Sequence, residues 1–125
     1  MTEVISKHVD EIEHYEGPQE IEGIRFKAAG KALGIAAWGM NVMELAPNTQ
    51  GYPEHDHQAD GQEELYTVLR GRATLEAGEQ RVALEPGVLV RVGPSQTRKI
   101  VTGDSGATLL AIGATPGKVH PIPSS

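Results

Sequence analysis

At 125 residues, with a net charge of −6 and no cysteine, the chain is sized for one domain that buries roughly two thirds of its unfolded surface. Disulfides and thiolate metal sites are excluded. The acidic balance argues against nucleic acid or an anionic membrane surface as partner, because both need a basic patch. Residues 1–15 are polar and hold no apolar segment of signal-peptide length, and no run nears membrane-spanning length, so a soluble, cytoplasmic protein is expected.

Residues 1–22 are acidic and weakly patterned, and read as an extended arm or a short helix around Val9 to Ile12. Residues 23–27 form a first strand. A longer one covers 36–45 and is closed by the turn signal Ala46-Pro47-Asn48. The histidine segment His55-Asp56-His57 follows, with a polar loop 58–62 behind it. The next strand is 64–69, and Gly71 marks a tight turn into 73–77. Strands 79–84, 88–92, 98–101 and 107–112 complete the set, punctuated by Glu85-Pro86-Gly87, Gly93-Pro94-Ser95 and Thr102-Gly103-Asp104. Turn signals this regular, with almost no helical periodicity, predict an all-β sandwich or barrel. The expected organisation is an arm over 1–22, a barrel over 23–114 and a Pro-rich tail over 115–125 that lies on the body or reaches a neighbouring subunit.

His55 and His57 are two residues apart, so in an extended segment both imidazoles point to one face. An adjacent strand can bring the carboxylate of Glu64 to the same place. Two imidazoles and a carboxylate suit zinc, iron, manganese, nickel or copper.

These residues resemble the cupin superfamily of small jelly-roll (double-stranded β-helix) barrels. Its first motif is written Gly-x5-His-x-His-x3–4-Glu-x6-Gly, and His55-x-His57 with Glu64-x6-Gly71 follows it. Two spacings depart: three residues rather than five separate Gly51 from His55, and six residues separate His57 from Glu64. Gln62 or Glu63 could compete with Glu64, but Glu64 alone keeps the spacing to Gly71. The second motif, Gly-x5-Pro-x-Gly-x2-His-x3-Asn, is poorer. Anchored on Gly87, it puts Arg98 where the superfamily has its fourth ligand, a histidine. Arginine stays protonated and cannot ligate.

Three readings follow. In the first, His55, His57 and Glu64 bind a divalent transition metal (Fe, Mn, Zn or Ni), and Arg98 at the rim clamps an anionic substrate, with Tyr66 as a proton donor. In the second, Arg98 pairs with Glu64 in a metal-free, non-catalytic binding pocket. In the third there is no site. A guanidinium about 5 Å from a divalent ion costs on the order of 6 kcal/mol at an effective dielectric of ~20, so the direction of Arg98 matters. Its parity with Ile100 turns it inward. Gln96 shares that parity and is a weak candidate fourth ligand.

Parity also nominates Tyr66 and Val68, and Asn41, Met43 and Leu45, as inward-facing, and places Trp38 on the outer face. His8, His14 and His120 read as solvated. The resemblance implies a small-molecule ligand, a homodimer, and dioxygenase, isomerase, decarboxylase or lyase chemistry if the protein is an enzyme.

Overall fold

The computed structural model describes residues 3–120. Its strands are β1 (Ile24–Lys27), β2 (Gly39–Leu45), β3 (Glu63–Gly71), β4 (Ala73–Ala77), β5 (Gln80–Leu84), β6 (Val90–Val92), β7 (Lys99–Val101) and β8 (Ala107–Ala114). They make two sheets, in the orders β1-β2-β8-β3-β6 and β5-β4-β7, with every pairing antiparallel. The turn spacing predicts this all-β arrangement, and the jelly-roll barrel is the form that the resemblance implies.

The core lies between the sheets. Met43, Leu45, Tyr66, Val68, Leu109 and Ala111 come from the five-stranded sheet, and Ala73, Leu75, Leu84 and Ile100 from or beside the three-stranded one. Tyr66, Val68, Met43 and Leu45 thus face inward as their parity requires. β2 is buried on both faces, because Val42 packs outward on Ile12 of the arm and Ala29. The arm is therefore tied to the barrel. The Tyr15 amide donates to the Phe26 carbonyl at 2.7 Å, Lys27 donates to the Val9 carbonyl at 2.8 Å, and Arg70 pairs with Asp10 at 2.8 Å.

Val9–Glu11 forms one 3-10 turn, closed by a reciprocal cap between His8 and Glu11. A second short helix, α1 (Ala29–Leu33), stands where the sequence pattern offers no periodicity. Five residues are too few to show one, and Gly34, left-handed at φ 75°, ends it. This turn uses the chain before Gly39, so β2 starts three residues later than the expected strand over 36–45. Residues 121–125 of the Pro-rich tail lie outside the described residues.

Candidate metal centre

The histidine segment is not a full strand. It is held by single bridges to the chain before β7. The His55 amide donates to the Arg98 carbonyl at 3.0 Å, the Arg98 amide returns the bond at 2.9 Å, and the His57 amide donates to the Pro94 carbonyl at 2.8 Å. That is enough extended character to put both imidazoles on one side. Glu64, second residue of β3, reaches the same point from the sheet, and the three ligand atoms lie within 4.8 Å of one another. His57 Nε2 is 3.1 Å and His55 Nε2 3.7 Å from Glu64 Oε1.

The tautomers are set by what the other ring nitrogens meet. His55 Nδ1 lies 2.9 Å from the Pro53 carbonyl oxygen, which can only accept. His57 Nδ1 lies 3.1 Å from the Asp60 carboxylate. Both Nδ1 atoms then donate and both Nε2 atoms face the cluster, an arrangement that orients metal-ligating histidines. Two imidazole Nε2 atoms beside one carboxylate oxygen are held together by a cation, either a proton on an imidazole or a metal ion. The donor set therefore fits a divalent transition ion. The slight burial of Asp60 acts to raise its pKa, but the Gln62 amide and His57 outweigh it, so the carboxyl sits below its ordinary value and remains an acceptor for His57.

Arg98 is inward, as parity requires, but it is not at the rim. It is 0% exposed and lines neither cavity described below. Its guanidinium donates to Glu64 Oε1 at 2.7 Å, to the Gln96 carbonyl at 2.7 Å and to the Tyr66 hydroxyl at 3.3 Å. A buried guanidinium must satisfy its donors within the protein, and these contacts leave it under the floor of the site, behind Glu64. Tyr66 is also 0% exposed and donates to the same Glu64 oxygen at 2.6 Å. Burial, then the Tyr52 hydroxyl and the Glu64 carboxylate, push its pKa far up, so it keeps its proton.

The other candidates separate cleanly. Glu63 is turned outward and pairs with Arg91. Gln62 donates to Asp60 at 3.0 Å and lines the cavity without joining the ligand cluster. The Gln96 side chain bonds its neighbour's Thr97 carbonyl at 2.9 Å, so its contribution is its backbone oxygen on Arg98.

A cavity of ≈ 700 Å³ opens on the cluster; His55, His57 and Glu64 line it together with Lys31, Trp38 and His120. Trp38, 41% exposed just before the first residue of β2, lines the cavity together with Met40 of the outer face. His120 is half-buried, and its ring packs on Gly39, where a Cβ would stand 3.2 Å from His120 Cε1. Tyr52, which the pattern did not nominate, is 7% exposed, faces the cavity and lies 3.4 Å from the Tyr66 hydroxyl. Burial, with Glu64 adding to it, raises its pKa as well. Asn41 and Met43 line the cavity as their parity predicts.

The family model for the cupin domain, Cupin_2, matches residues 41–113. The chain belongs to the cupin family. A search of the curated proteins finds no match for this cupin. Among solved structures it is similar to a sugar phosphate isomerase of the cupin superfamily from Silicibacter pomeroyi, with 22% identity, 90% of this chain and 77% of that one covered, and a TM-score of 0.72. It is similar also to a predicted oxalate decarboxylase from Thermotoga maritima (18% identity, 89% and 99% covered, TM-score 0.70). A third is KdgF from Halomonas sp. (14% identity, 85% and 90% covered, TM-score 0.66). At these identities the likeness is one of fold. Among the described residues of this cupin no helix is long and apolar enough to cross a membrane.

Proposed function

We propose that this cupin binds one divalent transition metal through His55 Nε2, His57 Nε2 and Glu64, and that the centre binds a small anionic organic molecule in the adjoining cavity. The observation that carries the reading is that both Nε2 atoms lie against Glu64 Oε1, at 3.7 and 3.1 Å, while both Nδ1 atoms meet oxygen acceptors. When bound, the metal supplies Lewis acidity and exchangeable positions for ligand oxygens. The sign of the ligand follows from Glu64. Its single negative charge is already matched by buried Arg98 at 2.7 Å, so the ion's own charge is left for a ligand to neutralise. Lys31 and His120 on the same cavity favour the same sign.

Arg98 and Tyr66 are positioning residues in this reading. They fix the rotamer of Glu64 through two hydrogen bonds to one oxygen. Tyr52 lines the cavity and keeps its proton, with its hydroxyl 3.4 Å from that of Tyr66. Isomerase, lyase and dioxygenase chemistry can each run on a centre of this kind, and the sugar phosphate isomerase and oxalate decarboxylase likenesses make the first two natural starting points for substrate screens. A homodimer paired through a sheet edge belongs to the same proposal, since β5 is an exposed edge strand.

Reconstituted protein should hold close to one equivalent of Zn, Mn, Fe or Ni by elemental analysis, and melt at higher temperature with metal than with chelator. Asp60→Asn should weaken metal affinity by about 10- to 100-fold, because the aligned carboxylate behind His57 is lost. Less than a tenth of an equivalent of every metal after reconstitution would rule the reading out.

A second reading has its own observation. The Arg98–Glu64 contact at 2.7 Å is also what a metal-free, non-catalytic binding pocket would contain. Arg98→His separates the two. If the parent already binds metal, the variant should bind at least about tenfold more tightly, since a cation is removed beside the ion. If the pocket is metal-free, affinity should appear only in the variant.

A further inference from the structure

A second cavity, of ≈ 330 Å³, lies between the N-terminal arm and the five-stranded sheet. Ile21 of the arm, Ile24, Phe26, Met43 and Tyr52 form most of its wall, and no Lys, Arg, Asp or Glu lines it. Phe26, Met43, Tyr52 and His55 line both this cavity and the larger one. The two therefore adjoin as lobes that share a wall, the smaller one mainly apolar, and they meet at a histidine of the ligand cluster. The arm makes the apolar lobe. Its Tyr15 and Gln19, with Pro53 and His55, complete the lining, and the Tyr15–Phe26 backbone bond and the Ile21–Ile24 bridge hold it in place.

Phe26, the one phenylalanine of the chain, is left 38% exposed there. An apolar concavity next to a few convergent polar groups is the form of a small-molecule site. We propose that this lobe is a hydrocarbon subsite of the same ligand site. The ligand is then an amphipathic organic acid or chelator, its polar head at His55, His57 and Glu64 and its alkyl or aryl portion between Ile21, Ile24 and Phe26. The inference rests on the metal reading for the head group. The volume is about twice that of the ~150 Å³ apolar cavity that takes up benzene, so it has room for a ring or a chain of roughly six to eight carbons. Continuity with the ligand cluster favours the tail of a bound small molecule over a protein segment as occupant.

The test uses zinc-loaded full-length protein and straight-chain alkyl hydroxamates from propano- to octanohydroxamate, titrated by calorimetry. Each methylene that enters the lobe should tighten binding by about twofold to fourfold, and so by at least about thirtyfold across the series. Ile21→Trp, which fills the lobe from the arm, should flatten the dependence on chain length. Ile21→Phe should flatten it partially, which keeps the test available if the larger side chain prevents folding. A parallel titration with 1-hexanol, read by amide NMR, should move Ile21, Ile24 and Phe26 with metal present or absent. If hexanol moves these residues while no hydroxamate of any length binds, the lobe stands and the metal reading fails. Hydroxamate binding that is independent of chain length overturns the lobe, as does a hexanol response that disappears on self-association, which would mean that a second copy covers the cleft.

Discussion

Glu64→Ala is expected to lower the free energy of unfolding by about 3–5 kcal/mol in metal-free protein. The cause lies in Arg98. Its side chain is wholly buried, and Glu64 is the one carboxylate paired with it among the described residues. Truncating Glu64 strands that charge and also removes the acceptor of the Tyr66 hydroxyl at 2.6 Å. The double variant Glu64→Ala, Arg98→Met should recover most of the loss, because an apolar side chain of similar length needs no partner. Urea unfolding in chelator measures both. A loss under about 1 kcal/mol for the single variant, the range of an exposed pair, would show that the buried pairing contributes little.

Gly71→Ala is the second large effect, with an expected loss of about 3 kcal/mol or more. Gly71 ends β3 at φ 76°, and a Cβ there would lie 2.0 Å from the Gly106 carbonyl oxygen. The left-handed backbone costs an alanine about 1–2 kcal/mol. The clash adds to this because it is with backbone and cannot be relieved by a rotamer. Gly87→Ala is the control. Its φ is 97° and nothing lies within 4 Å of the added Cβ, so it should lose only the conformational part. Equal losses at the two positions would show that the close approach of β3 to the Gly106 turn costs nothing.

Gly71 also shows how much of the site can be read from sequence. Its spacing to Glu64 is what selects Glu64 over Gln62 and Glu63, and the geometry agrees: Glu64 joins the histidines while Glu63 pairs outward with Arg91. Strand parity places Tyr66, Val68 and Met43 correctly, because a period of two persists wherever the pairing is regular, and it carries over to Arg98 one residue before β7 through the bridge to His55. It fails where regular structure stops. Trp38 lies before the first residue of β2, and Tyr52 lies beyond the bridged part of the histidine segment, so alternation says nothing reliable about either. The polar groups that set the histidine tautomers are a loop carboxylate, Asp60, and a backbone carbonyl, that of Pro53. Neither carries a sequence signal beyond proximity. His120 and Lys31 reach the cavity from the tail and from a helix of five residues, both too short to have a pattern. The tertiary fold, rather than any motif, brings them there.

Sequence reasoning treats the Glu64–Arg98 pair and the His55–His57–Glu64 cluster as alternatives, whereas one carboxylate oxygen takes part in both. In many small metalloproteins the ligands have no other way to satisfy their charges, so the fold waits for the ion and collapses when it is withdrawn. Here the acidic ligand carries a permanent internal counter-ion. In the proposed metal reading the charge of Glu64 is matched by Arg98 before any ion arrives, so the protein is expected to keep its fold in chelator. Loading would then be a matter of supply and exchange rather than of folding, and different ions could be compared in one scaffold.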